Sequence, residues 1–187
     1  MDAITCLKTR RSIRTFSAGE IAPHTVDDLI DCARLAPTAM NKQPWSFIVV
    51  RDVTTRHRIV EIAGHAEFLR TAPVAIAVCL DEWDYWKEDG SAATVSLLLG
   101  AHAHGLGACW VSMEPHPYAD AVKDLLGVPA AVHLLAVVAV GHPAESPAPV
   151  PTKRIEIESE ETTTCGHVRV VVADSTAGVL VASTVIA

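Results

Sequence analysis

Up to Val140 the chain switches repeatedly between two hydrophobic spacings, and each switch predicts a new element. Residues 2–9 read as a short helix with Ala3, Ile4 and Leu7 on one side, leading through Lys8 into a basic cluster. Gly19 closes a turn. The stripe Val26, Leu29, Ile30 and Ala33 predicts a second helix that ends before Pro37, with Thr25 and Asp28 as its capping box. Two prolines and an asparagine make residues 37–44 an ordered loop, the kind of place where binding groups belong, ahead of a strand over Ser46–Val50. Thr54–Ala63 reads as a surface helix stopped by Gly64, and Pro73 opens the continuous apolar run Val74–Leu80, a buried strand. Ser91–His104 is apolar nearly all round, which predicts the central buried helix. Gly105-Leu106-Gly107 ends it and turns directly into a strand over Ala108–Ser112. After Pro115 and Pro117, Tyr118–Leu126 gives one more helix closed by Gly127, and His133–Val140 gives a last strand.

Single strands mixed with helices in this way predict an α+β domain: a mixed central β-sheet flanked by helices on both faces. Asp81–Asp89 sets Trp83, Tyr85 and Trp86 among acids and a lysine. That stretch reads either as aromatic cover at the start of a helix or as the lining of a substrate pocket. Beyond Pro143 the pattern changes. Prolines at 143, 147, 149 and 151 make an extended arm reaching Lys153 and Arg154. Ile155-Glu156-Ile157-Glu158 then alternates like an edge strand, and residues 162–187 are short β-prone runs with few charges. The organisation expected is one domain over 1–154, followed by an arm and tail over 155–187.

Composition narrows the class. A chain of 187 residues, half of them apolar, can bury one good core and is too short for two ordinary domains. Its net charge of −7 argues against nucleic acid or an anionic membrane as partner, because both are held by a broad basic face. Cys6, Cys32, Cys79, Cys109 and Cys165 are odd in number and widely spaced, which suits buried inert thiols in a reducing compartment. No apolar stretch nears the roughly 20 residues of a membrane span, and no basic-then-apolar leader opens the chain. A soluble, cytoplasmic protein is expected.

Against this acidic background Arg10, Arg11 and Arg14 crowd around Ser12. Each guanidinium is a planar fork of donors that keeps its charge, so three beside a hydroxyl can surround a dianionic phosphate while Ile13 and Phe16 anchor the segment. As a charge run alone it would be a solvated basic turn. No glycine-rich strand-to-helix turn of the dinucleotide type is present, since Gly100, Gly105 and Gly107 sit at a helix end. A nucleotide phosphate must therefore be held by side chains. Three further strings follow: Pro37-Thr38-Ala39-Met40-Asn41-Lys42-Gln43-Pro44-Trp45, Gly105-Leu106-Gly107-Ala108-Cys109-Trp110, and Gly141-His142-Pro143 on the way to the basic pair.

With these four strings in this order, over residues 3 to about 154, the sequence resembles the nitroreductase family of FMN-dependent oxidoreductases. The resemblance implies a homodimer with two FMN molecules in clefts at its interface. It assigns Arg10, Arg11, Ser12 and Arg14 to the phosphate, ribityl chain and polar ring edge of FMN, and Lys153 and Arg154 to the same phosphate. It assigns Thr38, Asn41 and Gln43 to the flavin, across the dimer interface. Trp110, Val111, Ser112 and Met113 match the loop that approaches the pyrimidine side of the ring. NADH or NADPH would reduce the flavin, and a small electron-poor acceptor such as a nitroaromatic or quinone would reoxidise it in a ping-pong cycle. The last strand of relatives often crosses to the partner, which would suit residues 155–158. The chemistry belongs to the cofactor, so no side-chain nucleophile or metal is expected.

Two relatives in chemistry compete with this reading: an oxygen-dependent enzyme of the same superfamily that fragments flavin, and a non-catalytic FMN-binding module. Other chemistries fare worse. His102 and His104 on a helix would point about 200° apart, unlike the i, i+4 pairs that share a metal. Ser96 and Ser112 lack the glycine-flanked elbow of a hydrolase.

Overall fold

The apolar run around Ile76 is the axis of the fold. The computed structural model describes residues 1–148. Its elements are α1 (Ala3–Thr9), β1 (Phe16–Ser17), α2 (Pro23–Arg34), β2 (Trp45–Val50), α3 (Val53–Ala63), β3 (Val74–Asp81), α4 (Trp86–Ala103), β4 (Gly107–Ser112), α5 (Ala119–Leu126) and β5 (Val132–Pro143). The main sheet runs β2-β3-β5-β4, every ladder antiparallel, and β1 joins the far end of β5. Its parallel component is the single bridge between Ser12 and Ala108.

Successive side chains of a strand point to opposite faces, and here both faces are covered. Val74, Ile76, Val78 and Leu80 meet Leu29 of α2 and Leu97 of α4, while Ala75, Ala77 and Cys79 meet Ile59 of α3 and Val122 of α5. That two-sided burial is why β3 reads as a continuous apolar run rather than an alternating one. The thiols follow the same logic: Cys6, Cys79 and Cys109 are buried, and burial pushes the Cys79 thiol up to about 11. No helix among the described residues is long and apolar enough to cross a membrane.

Three local expectations change. The helix α2 begins at Pro23, with Ala22 as a cap that uses no side chain. Proline at the first helical position is pre-set in φ and has no N–H to satisfy, so Thr25 falls inside the helix and forms no capping box with Asp28. The helix α4 starts at Trp86 rather than Ser91, absorbing Glu88 and Asp89 into a first turn where the helix dipole favours acids. It is also not buried all round, because Val95 stands 46% exposed. On α1 the buried residue is Cys6, whose thiol donates to the Leu99 carbonyl, while Ile4 and Leu7 face outward at 59% and 60% exposure.

The cap of α3 gives a pH test. Asp52 accepts from the Thr55 amide at 2.6 Å and from its hydroxyl at 2.8 Å, and these bonds hold its carboxyl below the ordinary 3.8. A depressed folded-state pKa contributes stability that is present above the unfolded value and lost as pH falls through the folded one. The Tm of D52A should therefore lie below that of the unmodified chain at neutral pH, with the gap closing as pH drops below 3.8. A gap that stays constant into that acid range would mean the carboxylate is not the cap.

Candidate cofactor site

The arginine segment lies along the outer edge of β4. Ile13 donates its amide to the Ala108 carbonyl at 3.0 Å, and three residues later the chain joins β5 through Phe16 opposite Pro143. Ile13 and Phe16 are buried, as anchors must be. Their seats are glycines. A Cβ on Gly107 would fall 2.7 Å from Ile13 Cβ, and one on Gly141 would fall 2.7 Å from the Phe16 ring and from Pro73. The glycines of the third and fourth sequence strings are thus the clearance the first string needs.

Most arginines in this chain have work to do. Arg34, Arg58 and Arg70 face carboxylates, and Arg51 and Arg56 donate to carbonyls. Arg11 folds back onto the end of α1, its Nη1 donating to the carbonyls of Lys8 and Arg10 at 3.1 and 2.7 Å, with a buried Nε that has no partner. Among the described residues only Arg10 and Arg14 have guanidinium groups without any hydrogen-bond or ion-pair partner. Their fields converge nearby. Burial pushes the Cys109 thiol up, with Arg14, Ser12 and Arg10 pulling the other way. The His102 imidazole is held down by burial first, then by Arg10 and Arg11.

Beside this segment opens a cleft of about 240 Å³ bounded by Thr9, Arg11, Ile13, His102, Leu106 and Glu145. Of the three arginines, Arg11 lines this cleft. Two free guanidinium forks and a buried donor left open on Arg11, all within five residues, are donors that suit a phosphate dianion. Glu145 was not among the residues singled out from sequence. It reaches the segment across the fold, accepting from the amides of Arg14 and Thr15, and no local pattern marks a contact that spans 130 residues.

The second group of predicted residues lies elsewhere. In the 37–44 loop the Thr38 hydroxyl accepts from the Gln43 amide at 3.3 Å, and the Gln43 side chain donates to Asn41 Oδ1 at 2.8 Å. Met40, Asn41 and Gln43 all adopt positive φ near 50°, unusual for residues with a Cβ, and Met40 is 85% exposed. The loop hangs on Asp89 of α4. That carboxylate is buried, accepts the Ala39 amide at 3.0 Å through Oδ1, and leaves Oδ2 without a partner. Asp89 also escaped the sequence reading, although it shares an i, i+4 ladder with the buried Ala93 and Leu97 once α4 is extended back to Trp86.

At the end of β4, Trp110 is half-buried against the α2/α4 layer and Ser112 is exposed, whereas Val111 and the following Met113 are core. Met113 donates its amide to Leu135 O at 3.0 Å, so that N–H is engaged within the fold. Lys153, Arg154, Cys165 and the 155–158 and 162–187 segments lie outside the described residues. In the aromatic stretch, Trp86 acts as cover: it is buried and stacks on His133 at 3.9 Å. His133 is in turn held by Glu114 and Glu82. Tyr85 is 48% exposed, edge-on to Trp83.

These two groups do not meet in one chain. Asp89 and the loop sit at the start of α4, whereas Thr9, His102 and the arginine segment sit at its end. At 1.5 Å per residue, the span from Asp89 to His102 is about 20 Å. The loop also feeds β2, on the opposite edge of the sheet from β4.

Known proteins share this chain's sequence and fold. The family model described as the nitroreductase family matches residues 7–66 and 61–142. A protein of Methanothermobacter thermautotrophicus, provisionally named an NADH dehydrogenase/NAD(P)H nitroreductase, is 36% identical over 153 residues, covering 79% of this chain and 80% of the relative. A solved structure with the same provisional name, from Parabacteroides distasonis, superposes with a TM-score of 0.78 at 30% identity, covering 85% of this chain and 98% of the other. A solved FMN-dependent nitroreductase from Clostridium difficile superposes at 0.75 with 29% identity, covering 84% and 99%.

Proposed function

This chain belongs to the nitroreductase family and is an oxidoreductase, and we propose that it works with FMN held between two copies of itself. The observation that carries this reading is the pair of guanidinium groups, Arg10 and Arg14, that have no partner among the described residues, around Ser12 on the outer edge of β4. An acidic chain whose described residues leave two arginines unpaired beside a third with a buried open donor is built for a dianion. When bound, FMN would accept a hydride from NADH or NADPH and hand it to a small electron-poor acceptor such as a nitroaromatic or quinone. The chain's part is to bind and orient. Arg10, Ser12 and Arg14 would grip the phosphate, Arg11 would offer its remaining donor, and Lys153 and Arg154 would add charge to the same place.

The second copy is needed for the ring. Thr38, Asn41 and Gln43 lie about 20 Å along α4 from the grip, so the loop that meets a given flavin edge would come from the partner subunit. Its amides offer both donors and acceptors to that edge. The outward Ile4, Leu7 and Val95 on neighbouring α1 and α4 supply an apolar surface for such pairing.

Purification of the full chain tests this directly. The expected product is yellow, sediments as a dimer at micromolar concentration, and oxidises NADH or NADPH when a quinone or nitroaromatic is added. A colourless protein that cannot be reconstituted with FMN would end the reading. Flavin destroyed during aerobic turnover would favour the fragmenting enzyme, and flavin bound without turnover would favour a binding module.

A further inference from the structure

We propose that Glu145 is a positioning residue for the phosphate grip: its carboxylate clamps the Arg14–Thr15 backbone and leaves the guanidinium groups unneutralised. The inference rests on the FMN reading above. An exposed acid beside three arginines would ordinarily form an ion pair, weakening any site for a phosphate. Among the described residues Glu145 forms none with Arg10, Arg11 or Arg14. Instead a single oxygen, Oε1, accepts from the consecutive amides of Arg14 and Thr15, the latter at 2.9 Å. Two neighbouring N–H groups aimed at one oxygen make a small anion-holding nest, and they satisfy the carboxylate without using a side-chain cation.

The clamp completes a zipper. Ala144 donates to Thr15 O at 2.9 Å, Phe16 lies opposite Pro143, and Ser17 lies opposite His142. On the other side of the segment, Ile13 is bonded to Ala108. Arg14 is the residue between these two fixed stretches, and Glu145 is what fixes its amide. Without that bond the backbone from Arg14 to Thr15 loses two hydrogen bonds at once, and the guanidinium of Arg14 loses its fixed origin. A preformed grip binds more tightly than one that must be ordered by its ligand.

The experiment compares full-length apo-protein with E145A and E145Q, titrated with FMN and with riboflavin, which lacks the phosphate. Glutamine keeps an acceptor oxygen and removes the charge. E145A should weaken FMN binding about 10- to 100-fold and riboflavin binding by less than about threefold, with E145Q within about threefold of the parent for both. Amide hydrogen exchange at Arg14 and Thr15 should speed up in E145A alone. The proposal is overturned if E145A binds FMN as well as or better than the parent, if E145Q falls as far as E145A, or if FMN and riboflavin weaken equally. A parent chain that binds neither flavin removes the FMN reading and this inference with it. A parent that binds FMN while E145A matches it removes only the inference.

Discussion

Replacing Arg10 and Arg14 together with glutamine should strip the purified chain of its flavin. Each guanidinium makes charge-assisted bonds to a phosphate worth about 1.5–3 kcal/mol, so losing one from each side chain costs roughly 3–6 kcal/mol. That weakens binding by about 10²- to 10⁴-fold, enough to lose a nanomolar ligand on gel filtration. Neither side chain has a partner among the described residues, so the fold should not share the loss. The apo-protein Tm is expected to stay level or rise slightly as cationic crowding around Ser12 is relieved. Stoichiometric flavin still eluting with the double variant would show that the phosphate is held elsewhere.

The second large effect should come from Gly107→Val, a residue that would touch no cofactor. Even a Cβ there meets Ile13 at 2.7 Å, and the branched side chain adds more. Ile13 is flanked by a backbone bond to Ala108, so it cannot retreat without dragging the arginine segment off β4. Overpacking of this kind costs about 1–3 kcal/mol, or roughly 3–10 °C in Tm for a chain of this size. Unlike the arginine double variant, this one should lose stability and FMN affinity together. A companion I13A change in the same chain should restore part of both, because it removes Cγ1 and Cγ2 of Ile13, two of the three atoms in the way, and leaves only Cβ. Unchanged FMN affinity in a destabilised Gly107→Val protein would separate the strand edge from the grip.

What the sequence discloses follows from how local each cause is. The strands β2 and β3 and the stop of α3 at Gly64 are written in neighbouring residues, as runs and a left-handed glycine. The arginine segment was legible because its chemistry is carried by side chains within five positions. Where an element depends on contacts from far away, the reading slips. The strand β1 is two residues long and exists only because Pro143 and His142 lie beside it. The start of α4 was hidden by aromatic residues whose cover, His133, is remote in sequence. Asp89 and Glu145 escaped for a related reason. Both act on backbone amides rather than on other side chains, and an amide leaves no mark in a sequence. The outward placement of Ile4 and Leu7 is a third case, since an apolar stripe does not say whether its cover lies in the same chain.

In the proposed dimer, the length of α4 makes damage complementary. With each flavin site shared between copies, as proposed, a chain lacking Arg10 and Arg14 still carries a sound 37–44 loop, and a chain with a ruined loop still carries a sound grip. Paired with each other they make one whole site and one doubly broken one. Two inactive chains, refolded as a mixture or expressed in one cell, should therefore recover about a quarter of the normal sites by random pairing, while two chains broken in the same group recover none.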